Sequence, residues 1–342
     1  MFPFPGPKGV TVSLFGKRFT AVAALAAAGL ALAACSGPSA DKPAASTGAT
    51  AAAPSGGGPL KVAVVTHGSA GDAFWNVVKN GAEQAGKDLG VGVDYYSDGD
   101  PGNQAKLIEN AVAQKVGGLV VSMANPQALQ TAVQDAVKAG IPVVTINSGE
   151  DFSAAFGAIA HVGQSEGLAG QGAGQRLKAA GRTKLLCVIH EAGNIGQNQR
   201  CDGAKQAFGD VTTLQVDISN PADAESRIRG ALQSDPSIDA VLALNSQVAA
   251  RAVSAAKSAN SKAQVATFDL NADVAAGIKD GSILFAVDQQ QYEQGYLPIV
   301  MLKLYKENAN TLGGGHPVQT GPGFVDKTNI DTVAPYVQRG TR

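Results

Sequence analysis

The sequence predicts an α/β protein of two similar units, each a parallel sheet with helices on both faces. Three observations support this fold class. From residue 60 onward, runs of β-branched apolar residues alternate with amphipathic helical patterns, as in parallel sheets. Gly90, Gly117 and Gly140 follow predicted helix ends, where glycine is favoured. The alternation begins again after residue 160, and residues 60–342, 283 in all, are at the length where single cores give way to two domains.

The first unit opens with a strand at 61–66, a glycine-rich turn and a helix at 72–89. Its further strands are predicted at 91–96, 118–122, 142–146 and 156–161, and its further helices at 103–115 and 126–139. The second unit is predicted to contain helices at 164–180, 197–208, 221–234, 247–259 and 271–279, and strands at 184–190, 211–217, 239–244, 264–268 and 283–287. A helix at 291–309 contains Pro298, which should kink or divide it. We expect the tail, 313–342, to cross between the units.

The amino-terminal segment, residues 1–34, is typical of an export signal. Basic residues precede a short apolar run rich in small residues, and this run is too short to favour a spanning helix. It ends in Leu32-Ala33-Ala34-Cys35, which resembles a bacterial lipobox and implies lipidation of Cys35; an ordinary cleavage site is the alternative. Residues 35–59 have the composition of a flexible tether. We therefore expect a lipid-anchored protein at the extracytoplasmic face of the cell membrane.

Composition excludes several other classes of function. The net charge is −1 and 16% of residues are charged, so bulk electrostatics gives no reason to expect a nucleic-acid partner. The four histidines show no metal-ligand spacing, and we expect neither metal nor cofactor. Cys187 and Cys201 form a disulfide candidate in an exported chain, with two buried free thiols as the alternative.

Polar residues follow the predicted strands in both units. Each could be only a helix cap or turn residue, but the carboxyl ends of parallel strands meet at one edge, where open α/β folds bind ligands. His67 could be an additional donor or a turn residue. The candidate ligand-binding residues are His67, Asp72, Phe74, Trp75, Asn147, Ser148, Asn194, Asn198, Asn245, Asp269 and Gln289.

Six fragments in order along the chain resemble one protein family. They are Asp72-Ala73-Phe74-Trp75, Gly118–Ser122 with Asn125-Pro126, Ala139–Val144, Ala240–Asn245, Phe268-Asp269, and Gln289 with Gly295. Over residues 60–342 the chain is similar to type I periplasmic solute-binding proteins of bacterial ABC importers, in the ribose/galactose-type branch.

The resemblance implies two Rossmann-like lobes with parallel sheets, joined by a three-strand hinge and closing on a ligand. It places one lobe at 60–162 plus 290–319 and the other at 163–289 plus 320–342. It also implies a monomer that delivers its ligand to an ABC permease and catalyses no reaction. Its site in this chain would comprise Asp72, Phe74, Trp75, Asn147, Ser148, Asn198, Asn245, Asp269 and Gln289.

The side chains of this site suit a small neutral sugar or sugar alcohol of pentose, tetritol or pentitol size. Carboxylates accept from hydroxyls, amides both donate and accept, and aromatic faces cover the C–H side of such a ligand. Two departures make ribose a poor candidate. Asn147-Ser148 stands where ribose-type members have Asp-Arg, and Asn198 stands where they commonly have Arg, with Arg200 two residues later.

Two other functions compete with import. The same binding module could serve a chemoreceptor or sensor kinase, and an exported enzyme is the third possibility, although no nucleophile or acid–base set is assembled in the sequence. The run Gly68-Ser69-Ala70-Gly71 fails the G-x-S-x-G pattern of a hydrolase elbow, because His67 stands where glycine is needed. Glycines between Gly167 and Gly174 lie in a helical pattern and indicate close helix packing rather than a nucleotide-binding loop.

Overall fold

The computed structural model describes residues 59–69 and 71–342. The predicted export signal, Cys35 and the tether up to residue 58 lie outside the described residues. No helix in the described ranges is both long and apolar enough to cross a membrane.

Strands and helices alternate almost throughout the described chain. The strands are β1 Lys61–Thr66, β2 Gly92–Ser97, β3 Gly118–Ser122, β4 Val143–Ile146, β5 Ala160–Gln164, β6 Leu185–Ile189, β7 Val211–Gln215, β8 Ala240–Ala243, β9 Gln264–Phe268, β10 Ile283–Asp288, β11 Val318–Gly321 and β12 Gly323–Val325. The helices are α1 Ala73–Leu89, α2 Pro101–Ala113, α3 Pro126–Lys138, α4 Glu150–Ser153, α5 Glu166–Ala179, α6 Ile195–Phe208, α7 Pro221–Ser234, α8 Ser246–Ser258, α9 Ala272–Asp280, α10 Gln291–Asn308 and α11 Ile330–Arg339.

These strands form two six-stranded sheets, which confirms the predicted fold class. The first has the order β11-β5-β4-β3-β1-β2 and the second β12-β10-β9-β8-β6-β7. All neighbours pair in parallel except β10 and β12, which are antiparallel. The chain passes between the sheets three times, after β5, after β10 and between β11 and β12. The lobe boundaries named above stay predictions.

Each sheet is buried on both faces. In β1, Val62 and Val64 belong to one apolar cluster while Ala63 and Val65 belong to another. Because successive strand residues point to opposite faces, a strand covered by helices on both sides is apolar throughout. The carboxyl end of such a strand is the first place where polar side chains can point into a cleft.

Several elements differ from the sequence prediction. The strand expected at 156–161 lies at Ala160–Gln164, because the chain turns through Gly157 with a φ of 87°. Helix α10 is continuous, with buried Pro298 inside it. Helices α4 and α11 were not predicted. The tail forms β11 in one sheet and β12 in the other, so it does cross between them.

Candidate functional site

A small cavity of about 290 Å³, a volume that includes space open to solvent, lies where the carboxyl ends of the two sheets face each other. We call it the inner cavity. The residues that line it come from turns after β1, β4, β6, β8, β9 and β10 and from α1 and α6. They are His67, Asp72, Phe74, Trp75, Asn147, His190, Glu191, Asn194, Gln197, Arg200, Leu244, Asn245, Asp269 and Gln289.

The turn after β1 supplies a carboxylate and an aromatic wall. Asp72 caps α1, where its Oδ1 accepts from Phe74 N at 2.9 Å. The ring of Trp75 packs edge-on against Phe74 and against His67, with centroid distances of 4.9 and 4.7 Å. Helix capping therefore fixes the carboxylate beside two aromatic rings, and this pairing suits hydroxyl groups on one side of a ligand and C–H groups on the other.

The amide of Gln289 links the two lobes at the back of the inner cavity. Asn147 Nδ2 donates to Gln289 Oε1 at 3.1 Å, and Gln289 Nε2 donates to Asp269 Oδ1 at 2.7 Å. Asn147 and Asp269 have φ values of 60° and 67°, a left-handed conformation that Asn and Asp tolerate better than most residues. The backbone thus turns sharply after β4 and β9 and holds both side chains in one chain of hydrogen bonds.

Arg200 is bound to a buried carboxylate behind the inner cavity. Its Nε and a terminal guanidinium nitrogen donate to the two oxygens of Glu166 at 2.6 and 2.8 Å, and its guanidinium lies 4.5 Å from the Phe268 ring centroid. Both partners are buried. A bidentate pair of this kind fixes the guanidinium plane and neutralises most of its charge.

Asn194, Asn245 and Ser148 connect the helix ends to the cavity. Asn194 caps α6 and Asn245 caps α8, and both line the inner cavity. Ser148 is not part of the lining. Its Oγ lies 3.0 Å from Asn147 Oδ1 and 3.1 Å from Asn194 Oδ1, so it joins the turn after β4 to the opposite lobe.

His67 is a lining residue with both ring nitrogens in contact with protein groups. Nδ1 lies 2.7 Å from Ser122 Oγ, and Nε2 lies 3.6 Å from Glu191 Oε2. Ser122 Oγ also accepts from His67 N, so its proton is available for Nδ1 and the ring proton lies on Nε2, facing Glu191. Burial lowers the pKa of His67, and the imidazole is a neutral contact between the lobes.

Two carboxyl groups in the inner cavity have strongly raised pKa values. Burial raises the pKa of Asp72 to about 7, with a further contribution from the charge of Glu191. Burial also raises the pKa of Asp269 to about 7, although Arg200 and the Gln289 hydrogen bond partly oppose it. Each carboxylate lacks the solvation that a ligand hydroxyl could restore by donating to it.

The structure does not bring Asn198 to the cavity. Asn198 is exposed on α6, whereas Gln197 and Arg200 are 3% and 5% exposed and line the cavity. Arg200 therefore supplies a guanidinium to the cavity, one helical turn from Gln197, although Asn198 points away from it. His190, Glu191, Gln197 and Arg200 were not among the predicted residues, and the other predicted residues except Ser148 all line the cavity.

Cys187 and Cys201 form the predicted disulfide, which joins β6 to α6. Both sulfurs lie in the core of the second lobe. The bond follows Arg200 directly in sequence, so it helps hold the helix that positions Gln197 and Arg200. Among the described residues, no three His, Cys, Asp or Glu side chains are grouped as metal ligands would be.

Comparison with known proteins supports this picture. Residues 62–309 match the family described as periplasmic binding protein domain. The ribose import binding protein RbsB of Haemophilus influenzae is 28% identical over 236 residues, which is 66% of this chain and 79% of that protein. RbsB of Bacillus subtilis is 29% identical over 261 residues, which is 72% of this chain and 79% of that protein.

A solved structure extends the similarity to the whole fold. It is a carbohydrate transporter from Acidothermus cellulolyticus 11B in complex with myo-inositol, which is 42% identical to this chain with a TM-score of 0.82. The match covers 83% of this chain and 100% of that one. These relatives are substrate-binding proteins rather than enzymes. The chain therefore belongs to the periplasmic binding protein family and has its type I, two-lobed fold.

Proposed function

We propose that this protein is the extracytoplasmic substrate-binding component of an ABC importer and holds a small, neutral, polyhydroxylated ligand in the inner cavity. The observation that carries the proposal is the composition of that cavity. Carboxylates from both lobes, Asp72 and Asp269, face amides from both lobes beside the aromatic wall of Phe74 and Trp75. A hydroxyl group can donate to a carboxylate and accept from an amide at the same time.

The charges of the cavity favour a neutral ligand over an acidic one. Arg200 is the single cation among the described lining residues, and Glu166 already occupies it with two hydrogen bonds. Asp72, Glu191 and Asp269 would repel a carboxylate or phosphate on the ligand. A uronic acid or sugar phosphate would have to displace the buried Glu166, which would leave one charge unpaired.

Within this class, the first ligand to test is a cyclic six-carbon polyol. The inner cavity is small, at about 290 Å³ counted with space open to solvent. Pentoses, tetritols and pentitols stay candidates on size. The 42% identical carbohydrate transporter was crystallised with myo-inositol, which has a hydroxyl on every carbon. Such a ligand can meet polar groups from both lobes around its whole rim.

Isothermal titration calorimetry against myo-inositol, ribose, allose, arabinose, a pentitol and a tetritol tests the proposal. We expect micromolar or tighter binding of at least one member, which corresponds to about −8 kcal/mol. Asp269→Ala and Trp75→Ala should each weaken that binding by about 2 kcal/mol or more. Asn198→Ala, on the exposed face of α6, is the matched control and should leave it unchanged. Absence of binding across the panel, or equal affinity in all three variants, would contradict the proposal.

We also propose that Cys35 is lipidated and tethers the two lobes, as a monomer, to the membrane. The support is the lipobox-like run ending at Cys35 and the small-residue composition of residues 35–59. Expression of the wild type and Cys35→Ser, followed by membrane fractionation, tests the anchor. The wild type should sediment with membranes and the variant should be released.

A further inference from the structure

A second, larger cavity adjoins the inner cavity on the side of α2 and β7. We call it the outer groove. It has a volume of about 980 Å³ including space open to solvent, and both lobes contribute to it. Its lining residues are His67, Ser69, Gly99, Pro101, Gln104, Ala124, Asn125, His190, Glu191, Ala192, Gly193, Asn194, Gln215, Val216, Asp217 and Ile218.

The lobes are already in contact, yet the outer groove stays open. Ile195 N donates to Ala124 O at 3.0 Å across the lobes, beside the groove. Contact between the lobes therefore leaves the outer groove open to solvent. The outer groove is the larger of the two spaces.

Only a single layer of side chains separates the two spaces. His67, His190, Glu191 and Asn194 line both of them. Asn194 Nδ2 lies 3.4 Å from His67 Nε2, and Glu191 Oε2 lies 3.6 Å from the same nitrogen. Within the layer, Asn194 Nδ2 donates to Glu191 Oε2 at 2.5 Å and Gln197 Nε2 donates to the same oxygen at 3.0 Å. A ligand that extends from one space to the other would replace these contacts with hydrogen bonds to its own hydroxyl groups.

His190 places an unused donor at this boundary. Gln197 Oε1 accepts from His190 N at 2.9 Å, which orients the amide so that its Nε2 donates to His190 Nε2 at 3.1 Å. The ring proton therefore lies on Nδ1. That nitrogen has no partner in the described ranges, and His190 is 7% exposed. A buried donor without an acceptor is costly, and a ligand oxygen would satisfy it.

The charges of the outer groove restrict what can enter it. Its ionised side chains are Glu191 and Asp217, and no lysine or arginine occurs among the described residues of its lining. A phosphate or carboxylate substituent would be repelled there. The polar groups that remain are amides, hydroxyls and backbone of Ser69, Gln104, Asn125 and Gln215, which suit a neutral sugar ring.

We propose that the outer groove is a second subsite that takes a neutral sugar ring attached to the polyol in the inner cavity, so that the natural ligand is a glycosylated polyol. The inference rests on the proposed function and extends it from one ring to two. His190 lies where the linking oxygen would pass between the subsites.

Calorimetry on the full chain with two probes tests the second subsite. The probes are myo-inositol and galactosyl-myo-inositol, and the expected result is binding of the galactoside at least as tight as that of myo-inositol. Ala192→Trp and Ser69→Trp narrow the groove from opposite lobes without lining the inner cavity. Each should weaken galactoside binding at least tenfold and change myo-inositol binding less than twofold. Ala154→Trp, exposed and outside both spaces, should change neither.

The outcomes separate the two proposals. Binding of myo-inositol without the galactoside would overturn the second subsite and leave the proposed function intact. The same holds if both tryptophan variants bind the galactoside as the wild type does, or lose both probes equally while circular dichroism shows them folded. Failure to bind either probe or any member of the smaller-ligand panel would overturn both proposals.

Discussion

Arg200 makes two contributions at the residue scale, to the cavity lining and to the core behind it. Arg200 is 5% exposed, and Glu166, its partner, is 4% exposed. Loss of one member of a buried pair leaves the other charge without compensation, and the cost of this usually exceeds the net stabilisation by the pair itself.

We therefore expect Arg200→Ala to lower the free energy of unfolding by about 3–5 kcal/mol. Urea denaturation of the ligand-free protein measures this change in the free energy of unfolding. Asn198→Ala, two residues away on the exposed face of α6, should stay within about 0.5 kcal/mol of the wild type. Adding Glu166→Gln to Arg200→Ala should recover part of the loss. Equal stability of the Arg200 and Asn198 variants would show that the pair is not structurally important.

Asp269 should give the protein a distinct pH dependence. Burial raises its pKa to about 7 from an ordinary value of 3.8, so the folded state binds more protons than the unfolded state between these values. By linkage, the contribution of this group to stability falls as pH rises through that window, by at most about 4 kcal/mol. The Asp269→Asn variant has no titrating carboxyl at this position, so its stability does not fall for this reason.

The measurement compares Asp269→Asn with the wild type by thermal unfolding, without ligand, at pH 4.5 and pH 8. We expect the variant to gain stability relative to the wild type at the higher pH. Asp202→Asn, at an exposed position on the same lobe, is the control. Its stability should differ from that of the wild type by the same amount at both pH values. A constant difference for Asp269→Asn as well would mean that its carboxyl is solvated in the ligand-free protein.

One physical cause explains which cavity residues the sequence predicted and which it missed. Asp72, Asn147, Asn245, Asp269 and Gln289 directly follow strands or cap helices, and strand order alone brings such positions to one edge. Positions inside a helix depend on its phase. Cys201, Ala204 and Phe208 form the buried face of α6, and residues four positions before the first two are Gln197 and Arg200. The position of these apolar residues around the helix could have excluded Asn198 from the side of α6 that faces the cavity.

At the scale of elements, glycines set the distance between α5 and α6. A Cβ on Gly170 would lie 2.0 Å from Arg200 O, and one on Gly203 would lie 2.1 Å from Gly167 O. The backbones of the two helices are therefore in direct contact, which confirms the helix-packing interpretation of this glycine series. The close approach of α5 and α6 also fixes the position of Arg200, which lies on α6 and lines the inner cavity.

Gly170→Ala should force α5 and α6 apart and destabilise the protein by about 1–3 kcal/mol. Gly167→Ala is a matched control in the same helix, because a Cβ there meets nothing within 4 Å. It should be neutral or stabilising by about 0.5–1 kcal/mol, since alanine favours helix. Chemical denaturation of both variants measures the difference. If the two glycines tolerate alanine equally, the helices can separate without cost.

Long periodic elements were predictable and short ones were not. The apolar runs of β1, β3 and β9 and the pattern of α7 predict their positions to the residue. Strands β11 and β12 have four and three residues, too few for an alternation to stand out. Pro298 did not end α10, because tertiary packing around this buried residue outweighs the local preference.

At the scale of the whole molecule, the two lobes meet in a closed arrangement. Besides the cavity residues, Gln247 of α8 accepts from Ala73 N at 3.2 Å, and its Nε2 lies 3.5 Å from Gly71 O. Gln199 donates to Asp151 at 2.9 Å. These contacts exist only when the lobes are together, so they stabilise closure without touching the ligand. Apparent affinity depends on the fraction of molecules that can close.

Gln247→Ala should therefore weaken ligand binding although Gln247 does not line the inner cavity. Loss of about 1 kcal/mol of closure energy corresponds to about a fivefold higher Kd, and the change should appear as faster dissociation. Gln206→Ala is the control, because Gln206 pairs with Gln171 inside one lobe. Stopped-flow dissociation and calorimetry compare the two variants. If both bind as the wild type does, contacts outside the cavity do not govern closure, and the ligand alone holds the lobes together.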